Sequence, residues 1–423
     1  MDKFIITTSW DDGSVEDLRL AQLLAKYEIP ATFYVPIRGK NWKVMEDRQI
    51  RELSSEFEIG GHTLNHINLC SVSSKVAEKE VRRGKEKLEQ VIGKKITSFA
   101  YPFGATNKII KQLVGFADFN FARTIRLFET YVFDKLSAGT TMHAYNNHPL
   151  MRVVMGRGRF WGVGSIRKFF NSWDVVCKDY LDFCMENGGI FHLWGHSWEI
   201  EKHDNWSRLE RIFKYINETT PKNLRCTNRE VVSLLEAKKE NYYANLDPRK
   251  YAQDLGFLNE FTKNYDRKGM RVLDIGCGRG DAAEYYKKAS YMGIDTSQKF
   301  ITYAQKNYRG DSLCEDYRKI PAEKFSKKFD LILILGLFED HTNPVGEVAN
   351  ICKKFGRKGT KVLFTLHNAK SLRFKLTKAV QSFSGRLKFP HTSFTKEVLQ
   401  NHFKNIQVED KGPFLLARTT CCD

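Results

Sequence analysis

Ser9-Trp10-Asp11-Asp12-Gly13 sets two carboxylates side by side where an apolar run, Phe4 to Ser9, gives way to a turn. Further along, His62-Thr63-Leu64-Asn65-His66 sets two imidazoles at i and i+4. On a helical turn that spacing puts both rings on one face. Neighbouring carboxylates on an extended chain point to opposite sides, so one can ligate while the other does a different job. A carboxylate with two imidazoles makes a three-ligand site with open positions, the pattern of a catalytic rather than a structural metal. The chemistry such a site supports is hydrolysis by an activated water.

A second constellation lies in the other half. Val272 to Ile275 is apolar and runs into Gly276-Cys277-Gly278-Arg279-Gly280, with Asp274 inside the run. Glycines at this spacing permit a tight turn and close approach of backbone to a ligand. Taken alone, the loop fits NAD, FAD or S-adenosylmethionine. The continuation discriminates. Asp295 ends the next apolar run and can accept from two ribose hydroxyls. Asp316 follows in Cys314-Glu315-Asp316-Tyr317, and Phe329-Asp330-Leu331 opens a very apolar stretch. The G-x-G-x-x-G pattern more usual for NAD is absent.

Strand and helix patterns alternate around both constellations. Strands are expected at Phe4 to Ser9, Ala31 to Val35, Ser98 to Tyr101, Phe121 to Ile125 and Gly189 to Trp194. Helices are expected at Glu16 to Tyr27, Ser73 to Ile92 and Thr227 to Leu235. In the second half, strands are expected at Val272 to Ile275, Tyr291 to Ile294, Leu331 to Leu335 and Lys361 to Thr365. Helical periodicity marks Tyr251 to Phe261, Ala282 to Lys288 and Phe300 to Lys306. This alternation implies an α/β protein with parallel strands and helices outside. The polar stretch Ala237-Lys238-Lys239-Glu240-Asn241 reads as a linker. The division expected is a hydrolase domain over 1–236, a linker over 237–244 and a cofactor-binding domain over 245–423.

At 423 residues the chain exceeds one ordinary domain, and 42% apolar residues suffice for a core in each half. The net charge of +18 reads first as solvated Lys-rich faces; as a functional signal it suits an anionic partner, whether a nucleotide-sugar, a lipid-linked pyrophosphate sugar, a membrane surface or a nucleic acid. No nucleic-acid-binding motif accompanies the charge. The apolar stretch Leu331 to Phe338 falls short of the ~20 residues that span a bilayer. The start, MDKFIITTSWDDG, lacks the basic and apolar regions of a secretory signal. Nine cysteines without metal spacing then read as reduced thiols in a cytoplasmic protein, with Cys421-Cys422 at a frayed end. The sequence does not speak to oligomeric state.

The first half resembles the polysaccharide deacetylases, the NodB-homology hydrolases of carbohydrate esterase family 4, over residues 1–236. Their T-F-D-D-G motif appears as Ser9 to Gly13, and their H-S/T-x-x-H motif as His62 to His66. Their R-x-P-F/Y-G motif appears as Ala100-Tyr101-Pro102-Phe103-Gly104, and their last motif as the apolar run Ile190 to His196. The resemblance implies a distorted (β/α) barrel. It implies that Asp12, His62 and His66 hold a divalent metal, zinc or similar, and that Asp11 is the general base. It implies that His196 is the general acid, favoured over His192 because it lies past Gly195 where the strand should end. It also implies that the backbone N–H of Phe103 helps hold the oxyanion. Two features depart from the family. Ala100 replaces the arginine that partners the base, and the acidic residue beside Trp of the fourth motif has only weak counterparts in Trp161 and Trp173-Asp174.

The second half resembles the class I S-adenosylmethionine-dependent methyltransferases over 245–423. The resemblance implies a Rossmann-like, doubly wound sheet. Asp274, Gly276, Gly278 and Gly280 would hold the methionine end, Asp295 the ribose and Asp316 the adenine amino group. Glu339, His341 and His367 follow the later strands and are candidates for the acceptor side. Together the halves suggest deacetylation of an amino sugar and methylation of the same or a related sugar, on nitrogen or oxygen. The substrate would be a surface polysaccharide or its lipid- or nucleotide-linked precursor. A rival reading is a nucleic-acid or protein methyltransferase with a degenerate deacetylase-like module; the complete Asp12/His62/His66 set argues against it. A deformylase or other amide hydrolase would use the same metal site.

Overall fold

The computed structural model describes residues 4–39, 42–132, 134–146, 171–251, 253, 255–338, 341–371, 393–403 and 405–421. Two compact units divide the chain, Met1–Leu234 and Leu235–Asp423.

The first unit has seven strands: β1 Phe4–Asp11, β2 Thr32–Val35, β3 Glu58–Gly61, β4 Ser98–Ala100, β5 Phe121–Arg123, β6 Met142–His143 and β7 Gly189–Gly195. They form one sheet in the order β5-β4-β3-β2-β1-β7-β6, and each neighbouring pair is parallel. Helices Asp17–Lys26, Asp47–Glu56, Ser74–Ile92 and Lys108–Phe116 supply the crossovers between successive strands, as parallel pairing requires. All of β1 except Ile5 is buried, so both faces of the sheet are covered. Outward, Trp10 packs edge-on against Phe213 of the helix Trp206–Thr219, with centroids 6.2 Å apart.

The other face curls inward. β1 and β5 stand four places apart, which in a flat sheet would separate them by about 19 Å. Yet the Arg123 guanidinium on β5 touches the Asp11 carboxylate on β1. Only a strongly curled, barrel-like sheet allows this. β5 and β6 are its edges, with no ladder between them among the described residues. The expected distorted barrel is the fold of this unit.

The second unit has β8 Arg271–Ile275, β9 Ser290–Asp295, β10 Asp311–Cys314, β11 Leu331–Ile334, β12 Lys361–His367, β13 Gln407–Lys411 and β14 Phe414–Thr420. The order is β10-β9-β8-β11-β12-β14-β13. β8 to β12 pair in parallel, while β14 runs antiparallel to both β12 and β13. This is the Rossmann-like arrangement expected, closed by a hairpin that periodicity did not reveal. The order reverses between β8 and β11, where such folds bind ligands at the carboxyl ends of strands.

Four local expectations change. The helix expected over Tyr251 to Phe261 is a 3-10 turn, Gly256–Leu258, followed by the short helix Asn259–Tyr265. The stretch read as a linker is helical, lying within Asn228–Ala244; Ala, Lys and Glu are good helix formers, so polarity alone misleads. The helix expected over Ala282 to Lys288 is a short 3-10 turn, Asp281–Tyr285. The amides of Lys288 and Ala289 bond the Asp266 carboxylate rather than continuing a helix. Finally, Cys352 and Cys421 are paired as a disulfide with Cα atoms 5.4 Å apart, where free thiols were expected. Cys421 is buried just after β14 rather than frayed.

Candidate functional site

Asp12 leaves β1 with φ 79° and Gly13 follows at φ 59°, a left-handed turn that ends the strand. Asp12 Oδ1 lies 3.1 Å from His66 Nε2 and 3.6 Å from His62 Nε2. Ligand atoms about 2.0–2.2 Å from one tetrahedral ion stand ~3.3 Å apart, so this spacing fits a single cation. His62 Nδ1 lies 2.8 Å from the Ala100 carbonyl. A carbonyl only accepts, so Nδ1 carries the proton and Nε2 keeps its lone pair for a metal. Asp12 Oδ1 is buried and has no hydrogen-bond partner. Burial works against the Asp12 carboxylate, yet its pKa is lowered, with the charge of His196 among the groups that favour the ionised form. Two indoles fix the rest of the residue: Trp198 Nε1 donates to Asp12 Oδ2 and Trp42 Nε1 to its carbonyl, each at 2.9 Å.

The two histidines do not ride a helical turn. They lie in the loop after β3, where Thr63 at φ 68° and His66 at φ 48° cannot continue a helix. Leu64 N donates to the Glu80 carbonyl and Asn65 N to the Glu80 carboxylate. Gly84 lets the loop approach this closely: a Cβ there would stand 2.7 Å from the Thr63 carbonyl carbon.

Asp11 receives a donor the sequence did not reveal. Arg123, fully buried at the end of β5, donates Nη2 to Asp11 Oδ1. Ala100 on β4 leaves the family's arginine position empty, and the adjacent strand supplies the guanidinium instead. Arg123 Nε also donates to Ser9 Oγ at 2.9 Å.

His196 follows β7 on the other side of Asp12, its Nε2 3.8 Å from Asp12 Oδ2. Its Nδ1 lies 2.5 Å from Glu199 Oε2, and the same oxygen is 3.1 Å from His143 Nε2. Burial alone would lower the His196 pKa. The Glu199 hydrogen bond and the charges of Asp12, Glu199 and Asp11 prevail and hold it at about 9. His143, His196 and Glu199 also cluster as possible ligands. The 2.5 Å approach is a hydrogen-bond distance, below the ~3.3 Å between two ligands of one ion. Glu199 therefore places a carboxylate beside His196, where neither fourth-motif candidate does. Its signal was present three residues after His196. Trp161 lies outside the described residues, Trp173 is buried, and Asp174 pairs with Arg208 and Arg211. His192 sits deeper on β7 against Ser9, 2.8 Å from its Oγ. Phe103 adopts φ 60° on the turn after β4; the residue is 59% exposed, and its ring centroid lies 5.0 Å from that of His66.

In the second unit Gly276, Gly278 and Gly280 have φ of 73°, 54° and 87°. These left-handed values favour glycine. At Gly278 a Cβ would meet nothing within 4 Å, so the loop faces open space there. Asp295 ends β9 and clamps the loop: Oδ2 accepts from Gly278 N at 2.9 Å and Oδ1 from Ser297 N at 2.8 Å. Asp274 lies beneath, buried, accepting from Tyr291 Oη at 2.6 Å. Burial, against the Tyr291 bond and aided by nearby Asp295 and Asp281, pushes its pKa up to about 7. Asp316 follows β10, whose Cys314 pairs with Asp295; its carboxylate accepts from the Arg318 backbone and side chain at 3.0 Å. His341 packs on Phe338, with centroids 4.9 Å apart, and His367 ends β12. Glu339 lies outside the described residues.

Residues 1–122 match the family "Polysaccharide deacetylase", and residues 243–408 match "Methyltransferase domain". Among curated proteins, the chain is similar to the ubiquinone biosynthesis O-methyltransferase of Rhizobium etli. The identity is 35% over 97 residues, 22% of this chain and 39% of that protein. The chain thus spans well under two thirds of the length of such relatives. Among solved structures, the Streptococcus pyogenes deacetylase PplD in complex with acetate aligns with 22% identity and TM-score 0.29, covering 31% of this chain and 62% of that one. The plantazolicin methyltransferase BpumL in complex with SAH aligns with 18% identity and TM-score 0.30, covering 45% of this chain and 88% of that one. Among the described residues no helix is long and apolar enough to cross a membrane.

Proposed function

We propose, from a chain that carries a polysaccharide deacetylase domain followed by a methyltransferase domain, a bifunctional glycan-modifying enzyme. Its first activity is metal-dependent N-deacetylation of an amino sugar. Its second is methylation of the same or a related sugar from S-adenosylmethionine. The observation that carries the first is the orphaned Asp12 Oδ1 facing the Nε2 atoms of His62 and His66. The second is supported by the left-handed glycine loop clamped by Asp295.

A divalent cation held by Asp12, His62 and His66 would supply Lewis acidity to the amide carbonyl and the attacking water. Asp11 takes the proton of that water while Arg123 holds its carboxylate in place. His196 gives a proton to the leaving nitrogen, with Glu199 fixing its Nδ1. The amide of Phe103 supports the developing oxyanion. The released amine is a nucleophile, and methyl transfer to it, or to a hydroxyl, needs mainly positioning, because the sulfonium is already a good leaving group. The curated relatives are named as O-methyltransferases, which favours keeping a hydroxyl acceptor beside nitrogen. The +18 charge suits a nucleotide- or lipid-pyrophosphate-linked sugar. A cytosolic methyl donor would have the reactions precede export.

Incubating the protein with an N-acetylated nucleotide-sugar, zinc and S-adenosylmethionine, then weighing the products, tests this. Loss of acetyl together with gain of methyl is expected. Methylation of the intact N-acetyl sugar with no acetyl loss would remove the coupled reading.

A further inference from the structure

Inside the barrel, beneath the candidate base, four buried polar side chains form one chain of contacts. His192 Nε2 lies 2.8 Å from Ser9 Oγ. Ser9 Oγ lies 2.9 Å from Arg123 Nε, and Arg123 Nη2 meets Asp11 Oδ1. All four residues are buried. The proton order follows from donor chemistry. Arg Nε–H can only donate, so Ser9 Oγ accepts from it. That leaves the Ser9 proton available, and we assign it to His192 Nε2, as an acceptor on a neutral ring. Burial and the Arg123 charge both favour that neutral form.

We propose that Ser9 and His192 are positioning residues that aim Arg123 at the catalytic base. A guanidinium is planar, so fixing Nε fixes the direction of Nη2. Arg123 Nη1 has no hydrogen-bond partner. The Ser9 and Asp11 contacts, with the rings of Tyr34 and Trp194 at 5.1 and 4.9 Å, therefore set its orientation. Stability is a weak reason for such an arrangement, because a buried ion pair is often matched by apolar packing. Positioning accounts for each contact. The inference rests on the hydrolase reading above.

The test uses the full chain loaded with zinc and follows acetate release from an N-acetylated chitooligosaccharide. Ser9→Ala and His192→Phe should each lower kcat about tenfold, with KM and zinc affinity unchanged. Ser9→Thr keeps the hydroxyl and His192→Gln keeps an acceptor; both should stay near wild type. Should Ser9→Ala fail to fold, the contrast between His192→Phe and His192→Gln decides. Wild-type kcat in Ser9→Ala or His192→Phe overturns the proposal, as does equal loss in His192→Gln and His192→Phe. A fall in zinc affinity parallel to kcat also overturns it, since that marks general disruption. No acetate from the wild type overturns the hydrolase reading itself, and this proposal with it.

Discussion

The Arg123 guanidinium on β5 donates to the Asp11 carboxylate on β1 across the interior of the curled sheet. This contact replaces the arginine that Ala100 lacks. Replacing Arg123 by Ala leaves a buried carboxylate unpaired, which costs about 3–5 kcal/mol of stability. The expected result is a lower melting temperature, loss of acetate release and zinc affinity close to wild type. Arg123→Lys keeps the charge but not the fork, and should recover stability more than kcat. Full activity in Arg123→Ala would contradict the pairing.

Glu199 accepts from both His196 and His143. Glu199→Gln keeps the shape but removes the charge that stabilises the imidazolium. Its kcat should fall about 100-fold with KM little changed. Steady-state kinetics at saturating zinc checks this, and an unchanged kcat would leave His196 without its partner's role.

Asp274 carries a pH signature in the methyltransferase unit. Its folded pKa of about 7 stands above an unfolded value of ~3.9. Between these values the folded state keeps a proton that the unfolded state has released. The stabilising contribution is therefore full below ~3.9 and lost as pH rises through about 7. Asp274→Asn is neutral throughout and escapes the loss. Its melting temperature relative to wild type should rise from about pH 4 to about pH 8. A difference independent of pH would mean that Asp274 titrates at its ordinary value.

Asp295 both clamps Gly278 and ends β9 where a ribose would lie. Asp295→Ala should weaken S-adenosylmethionine binding by roughly 10–100-fold, the worth of a lost charged hydrogen bond. Calorimetric titration measures it directly, and wild-type affinity would count against this pocket.

What the sequence revealed and what it hid follow from distance along the chain. Asp11, Asp12, His62 and His66 stand in short local patterns, and the curled sheet brings those patterns together. The glycine loop and Asp295 were legible for the same reason. Arg123 was not, because its link to Asp11 spans 112 residues and Phe-Ala-Arg carries no local sign of facing a carboxylate. Glu199 was within view, but its role depends on how the chain turns after Gly195. The histidine spacing suggested a helix, yet backbone at positive φ delivers the same two rings from a loop. Polarity over Ala237 to Asn241 suggested a linker because it cannot be told from a solvated helix by composition.

The central claim is that Asp12, His62 and His66 hold a cation that hydrolysis requires. The most direct measurement is acetate release from an N-acetylated amino sugar by wild type, chelator-treated wild type and Asp12→Ala. Release by the wild type is expected, with its loss on chelation, its return with added zinc, and none from Asp12→Ala under any condition. Undiminished release by Asp12→Ala, or by the chelated protein, would contradict it.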